Sequence, residues 1–151
     1  AFKTMGARTT RQDSLDNALI VQTEAFKNRD PEAMSKFFRI LFRGSFFDRR
    51  LADSLTLVFD QNYAAHSRTM KYLYKDTSLM NYDIHSKLSY IKCPALIIHG
   101  DHDFLPLEAV QAIRDHIGGS KLVVLQHCGH FPYIESPETF FSTVSDFLDT
   151  H

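Results

Sequence analysis

Pro94-Ala-Leu-Ile-Ile-His-Gly-Asp-His-Asp103 is the stretch that decides how the chain is read. Pro94 to His99 is a short, continuous and mainly apolar run, the mark of a strand covered on both faces. Gly100 to Pro106 follows as a polar turn. Leu107 to Ile117 then reads as a helix, with Gly118-Gly119 as its stop. Lys121-Leu-Val-Val-Leu-Gln126 is a second buried strand. After another loop, Pro137 to Leu148 reads as a last helix. Ser136 is its cap, Pro137 takes its first position, and Phe140, Phe141, Val144, Phe147 and Leu148 face inward. A β-α-β-α order with apolar strands predicts a parallel sheet with helices on its faces. Two strands that both need cover are not a complete sheet, so further strands are expected upstream.

Outward from there, the composition changes near residue 92. The earlier part is rich in Phe, Arg, Leu and Tyr and shows no alternating strand pattern. Ser14 is the expected N-cap of a first helix, with Leu15, Ala18, Leu19, Gln22 and Phe26 at helical spacing. Asp30-Pro31 marks a second helix start, and Met34, Phe37, Phe38, Leu41 and Phe42 form its apolar stripe, ended by Gly44 and Ser45. Further helices are expected over Arg49 to Phe59 and from about Asn62 to Tyr74. The chain thus divides into a helical region, residues 1–92, and a strand-bearing region, residues 93–151.

In parallel sheets, functional residues sit in loops just past the C-terminal ends of strands. His99-Gly-Asp-His-Asp-Phe-Leu-Pro106 and His127-Cys-Gly-His-Phe-Pro-Tyr133 are those loops. An acid after one strand meets a histidine after the next if the strands are neighbours. A buried carboxylate then selects the imidazole tautomer and stabilises its cation, which makes a better general base.

With its Gly100-x-x-Asp103 turn, Gly129-His130-Phe131 and Glu135-Ser-Pro-Glu138, the chain resembles the last two strands of the α/β-hydrolase fold. The likeness is to the branch of proline iminopeptidase-like enzymes and related esterases and C–C hydrolases. It implies that Asp103, rather than Asp101, is the catalytic acid and His130 the base. Residues 1–92 resemble the helical cap that shapes substrate access, and residues 93–151 the C-terminal part of the core. The nucleophile elbow of that family, Gly-x-Ser-x-Gly, does not occur in the sequence. The resemblance therefore implies a serine supplied from upstream, with the N-terminal half of the fold as partner. It also implies a small-molecule ester or peptide substrate, water as the only co-reactant, no cofactor, and no activity for this chain alone. Aminopeptidases of the branch often carry an acidic group beside the catalytic acid, where this chain has Phe104. Glu24 and Glu32 in the cap are other candidates for holding an amine.

Rival readings use the same residues. His99, His102, His127 and His130, with Asp101 and Asp103, offer zinc-type donors on two loops. Cys128 is a conceivable nucleophile, but it shares the base's loop and no helix N-terminus follows it at once. A non-catalytic fragment that dimerises or joins a partner through exposed sheet edges is the alternative from another class.

Bulk properties narrow the field. The 151 residues are 44% apolar and 23% charged, with a formal net charge of −1, which gives no pull toward nucleic acid or an anionic membrane. No apolar run approaches the roughly 20 residues of a membrane span. The start has neither an initiator Met nor a secretory core, so it reads as a cut with no signal peptide. Cys93 and Cys128 are expected as reduced thiols of a cytoplasmic protein.

Overall fold

The computed structural model describes residues 8–60 and 83–151. Two parallel strands, β1 (Leu96–Gly100) and β2 (Lys121–Leu125), pair in register from Leu96 against Lys121 to Gly100 against Leu125. The helices comprise α1 (Arg11–Ile20), α2 (Glu24–Lys27), α3 (Pro31–Phe42), α4 (His85–Leu88), α5 (Leu107–His116), α6 (Pro132–Glu135) and α7 (Pro137–Asp149). Two 3-10 turns, Arg43–Ser45 and Arg49–Ser54, lie after α3. The α/β architecture of a parallel sheet with a crossover helix is the one expected from the apolar runs.

The chain forms two compact units. Of the described residues, the strand-bearing unit gathers 8–9, 42–55 and 84–151; the other holds 10–41, 56–60 and 83. In the first, α5 packs on both strands and α6 and α7 on β1. Its core contains Phe46, Ala52, Leu55, Val110, Ile117, Leu125 and Cys128, all buried. Gly119 takes a φ of +77°, the left-handed turn that a residue without Cβ adopts freely, and this releases the chain from α5 into β2.

In the second unit the first helix begins earlier than Ser14. Thr10 caps α1: its Oγ1 accepts from the Asp13 N–H at 3.1 Å, and Asp13 Oδ2 accepts from the Thr10 N–H at 2.9 Å. This reciprocal capping box satisfies two donors at once, which outcompetes a cap at Ser14. The Ser14 hydroxyl instead donates back to the Thr10 carbonyl at 3.2 Å. The helix also stops at Ile20, and Thr23 caps the separate α2 by accepting from the Phe26 N–H. Asp30 caps α3 as expected, accepting from the Ala33 N–H at 3.0 Å. Phe26, Phe37, Phe38 and Phe59 form a chain of ring contacts with centroids 5.0 to 5.4 Å apart.

Arg49 to Phe59 is not one helix. A 3-10 turn ends at Ser54, and Leu55 is extended and buried. The following Leu55-Thr-Leu-Val-Phe59 carries β-branched residues that resist a helical χ1. The stretch from Asn62 to Tyr74 lies outside the described residues. Ser136 stands at the N-terminus of α7 but makes no capping hydrogen bond through its side chain. No helix among the described residues is long and apolar enough to cross a membrane.

Candidate active site

The loops after β1 and β2 are tied to each other before any side chain of the site is placed. The Asp101 N–H donates to the Leu125 carbonyl at 2.9 Å, and the His102 N–H to that of Cys128 at 2.8 Å. Asp101 returns the link by accepting from the Cys128 N–H at 3.1 Å. A Cβ on Gly100 would strike the carbonyls of Cys128 and Gly129, so the absence of a side chain there lets the loops approach. Asp101 therefore belongs to the scaffold, as does the Arg8 guanidinium, which donates to the carbonyls of His102 and Asp103.

Asp103 and His130 meet in this frame. His130 Nδ1 lies 2.9 Å from Asp103 Oδ2 and 3.1 Å from Oδ1. An ionised carboxylate only accepts, so Nδ1 carries a proton, and in the neutral ring the other nitrogen is then the acceptor. The Asp103 side chain is 7% exposed and that of His130 33%, which leaves the imidazole the accessible partner. Asp103 Oδ1 also accepts from the Leu105 N–H at 2.9 Å. Burial pushes the Asp103 carboxyl up, but the hydrogen bonds from His130 and Leu105 and the charges of His130 and His99 bring it below its ordinary value. His99, equally buried, has its Nδ1 3.8 Å from Asp103 Oδ2.

The backbone around His130 is held from behind. Its own N–H donates to the Ser45 carbonyl at 2.8 Å. The neighbouring N–H groups of Gly129 and Phe131 donate to Glu135 Oε1 at 2.8 and 3.4 Å, and the Phe47 N–H donates to Oε2 at 2.7 Å. Gly129 has no room for a Cβ, which would strike the Ser45 carbonyl oxygen. Around the imidazole stand Phe104, with its ring 4.4 Å away, and Phe131 at 5.3 Å edge-on. Phe46 stacks on Phe131 at 4.6 Å. Glu135, Ser45 and Arg8 are contributors that the two-loop reading left unassigned. The Glu135 position was visible only as part of a motif, and a backbone carbonyl leaves no mark in sequence.

The remaining candidates separate from this pair. His102 and His127 both contact the Phe47 ring, at 5.3 and 5.0 Å. Among the described residues, no three His, Cys, Asp or Glu side chains gather as a metal site would require. Cys128 is fully buried, and that burial, with the charge of Glu135, pushes its thiol up to about 11. It carries little thiolate at neutral pH and is poorly suited to attack. Glu24 pairs with Lys27 at 2.7 Å on the surface, while Glu32 lines an open depression with Asp30, Ser35 and Arg39.

A 74-residue stretch, 49% of the chain, is 31% identical to a proline iminopeptidase of Lactobacillus crispatus, covering 25% of that protein. A 65-residue stretch is 35% identical to a pimeloyl-[acyl-carrier protein] methyl ester esterase of Nitrosomonas europaea, covering 42% of the chain and 26% of the esterase. Among solved structures, a serine hydrolase involved in carbazole degradation superposes with a TM-score of 0.50 at 24% identity, over 78% of this chain and 40% of that one. The chain carries part of the α/β-hydrolase fold. No protein-family model matches it. The chain spans about a quarter of the length of the two curated relatives.

Proposed function

We propose that Asp103 and His130 are the acid and base of a Ser-His-Asp triad whose serine is supplied from outside these 151 residues. The protein so formed hydrolyses ester or amide bonds of small substrates. One observation carries the proposal: the buried Asp103 carboxylate grips His130 Nδ1 with both oxygens, at 2.9 and 3.1 Å.

In this mechanism the serine hydroxyl attacks the substrate carbonyl while the free nitrogen of His130 takes its proton. His130 then passes that proton to the leaving alcohol or amine, and an acyl-enzyme remains. Water, deprotonated by the same nitrogen, releases the acid and restores the serine. Asp103 stays ionised throughout and stabilises the imidazolium. Its lowered carboxyl suits that role. The helical region within residues 1–92 serves as the cap and residues 93–151 as the end of the core, to which residues 42–55 add Phe46, Ala52, Leu55 and the Ser45 carbonyl.

The apolar rings of Phe104 and Phe131 beside the imidazole support a small, fairly apolar acyl group. The likeness to the Lactobacillus enzyme supports a proline iminopeptidase-related peptidase as one form of this activity. Phe104 beside Asp103, in place of an acidic group, favours the esterase form.

The test is hydrolysis of an aryl ester by the full-length protein and its variants. Asp103→Asn lowers kcat about 10⁴-fold and His130→Ala about 10⁶-fold, and the 151-residue chain alone shows no turnover. Undiminished hydrolysis in both variants would sink the assignment.

A further inference from the structure

The three consecutive N–H groups of Gly129, His130 and Phe131 all point into acceptors, and two of them share one oxygen. Glu135 Oε1 takes Gly129 at 2.8 Å and Phe131 at 3.4 Å, on either side of His130. Oε2 reaches a segment 88 residues earlier in sequence, taking the Phe47 N–H at 2.7 Å. That segment carries the Ser45 carbonyl, which accepts the His130 N–H at 2.8 Å. The result is a closed circuit: Glu135 holds the histidine loop with one oxygen and with the other holds the strip of backbone against which the loop rests. Gly129 permits it, since any Cβ there would meet Ser45 and press on Glu135.

From this circuit we infer that Glu135 is a positioning residue for His130. It sets the imidazole against Asp103 without touching substrate. The inference rests on the proposed triad for its catalytic consequence, but not for its geometry. The carboxylate is needed because both oxygens must accept. An amide of the same shape offers one acceptor, and its NH2 would face a backbone N–H at the other end. Aspartate keeps both acceptors on a shorter stem.

The experiment uses the full-length protein with an aryl ester, and thermal melting to verify folding. Glu135→Gln lowers kcat about 10²-fold, as expected for a catalytic group displaced by about 1 Å, while KM stays within about twofold. Glu135→Asp recovers part of the loss. In an Asp103→Asn background the Glu135→Gln effect shrinks, because an imidazole already lacking its anchor has less to lose. Wild-type kcat in Glu135→Gln, or an equal loss in both backgrounds, overturns the inference. If Glu135→Gln fails to fold, Glu135→Asp carries the same tests with a smaller loss.

A second measurement needs no turnover. The far-downfield proton NMR signal of His130 Nδ1–H, assigned by its loss in His130→Ala, broadens or disappears in Glu135→Gln. An unchanged signal overturns the inference. Full activity in Asp103→Asn and His130→Ala would instead overturn the proposed triad and leave this signal to decide the role of Glu135.

Discussion

A residue whose side chain is a single hydrogen can be tested by adding one carbon. At Gly129 a Cβ would meet the Ser45 backbone, with the Glu135 carboxylate and Phe46 3.0 Å away, and backbone cannot rotate out of the way. Gly129→Ala is expected to cost about 1–3 kcal/mol, the range for overpacking. Gly118→Ala has nothing within 4 Å and is the control, expected within about 0.5 kcal/mol. Urea melts of the two variants decide it, and equal stabilities would contradict the close approach. The cysteines give a second contrast at this scale. Cys93 is exposed, whereas Cys128 is buried with its thiol pushed up to about 11. Iodoacetamide on the native protein at neutral pH should label Cys93 and spare Cys128 until denaturant is added. Peptide mass spectrometry reads the result, and rapid labelling of Cys128 would refute its enclosure.

The elements show what was legible and what was not. Both strands announced themselves because four or five apolar residues in a row suit only a covered strand or a buried helix, and the Gly-rich turns around them excluded the longer helix. The acid and histidine were legible for the same reason, since parallel pairing brings the two following loops together. Several features escaped. The α1 boundary was misplaced because Ser14 is a good cap in isolation, while Thr10-x-x-Asp13 carries the reciprocal bonds. The short α4 and α6 are single turns, too brief to generate periodicity. The support behind His130 depends on a backbone carbonyl at Ser45 and a contact between Phe47 and Glu135, and no local pattern encodes either. The cap assignment yields its own prediction: Thr10→Ala destabilises α1 by about 1 kcal/mol, whereas Ser14→Ala stays within a few tenths. Amide hydrogen exchange of α1 in the two variants measures the difference. Greater loss of protection in Ser14→Ala would restore the later boundary.

At the scale of the whole molecule, the site couples to stability through its carboxylates. Asp101 and Asp103 both titrate below the ordinary carboxyl value of 3.8, although burial alone would raise them. For Asp101 the Cys128 and His127 N–H groups reverse the trend; for Asp103 the His130 ring and Leu105 N–H do. In the unfolded chain these partners are gone and each carboxyl binds its proton at higher pH. Between the folded and unfolded values the unfolded state therefore holds more protons, and stability rises with pH. Their contribution is complete above the unfolded value and is lost as pH falls through the folded one. Asp48, lowered to about 2 chiefly by its hydrogen bonds with Arg50, titrates on the same limb, but its side chain is open to solvent and water and salt screen it. Removing one buried carboxyl isolates the site's share. Urea midpoints of the wild type should fall steeply from about pH 5 to pH 2. Asp103→Asn should start lower at pH 7 and decline less over that interval, because the amide has no proton to gain. If the two proteins lose stability in parallel as the pH drops, the Asp103–His130 bond does not stabilise the fold, and its two short distances would then serve chemistry alone.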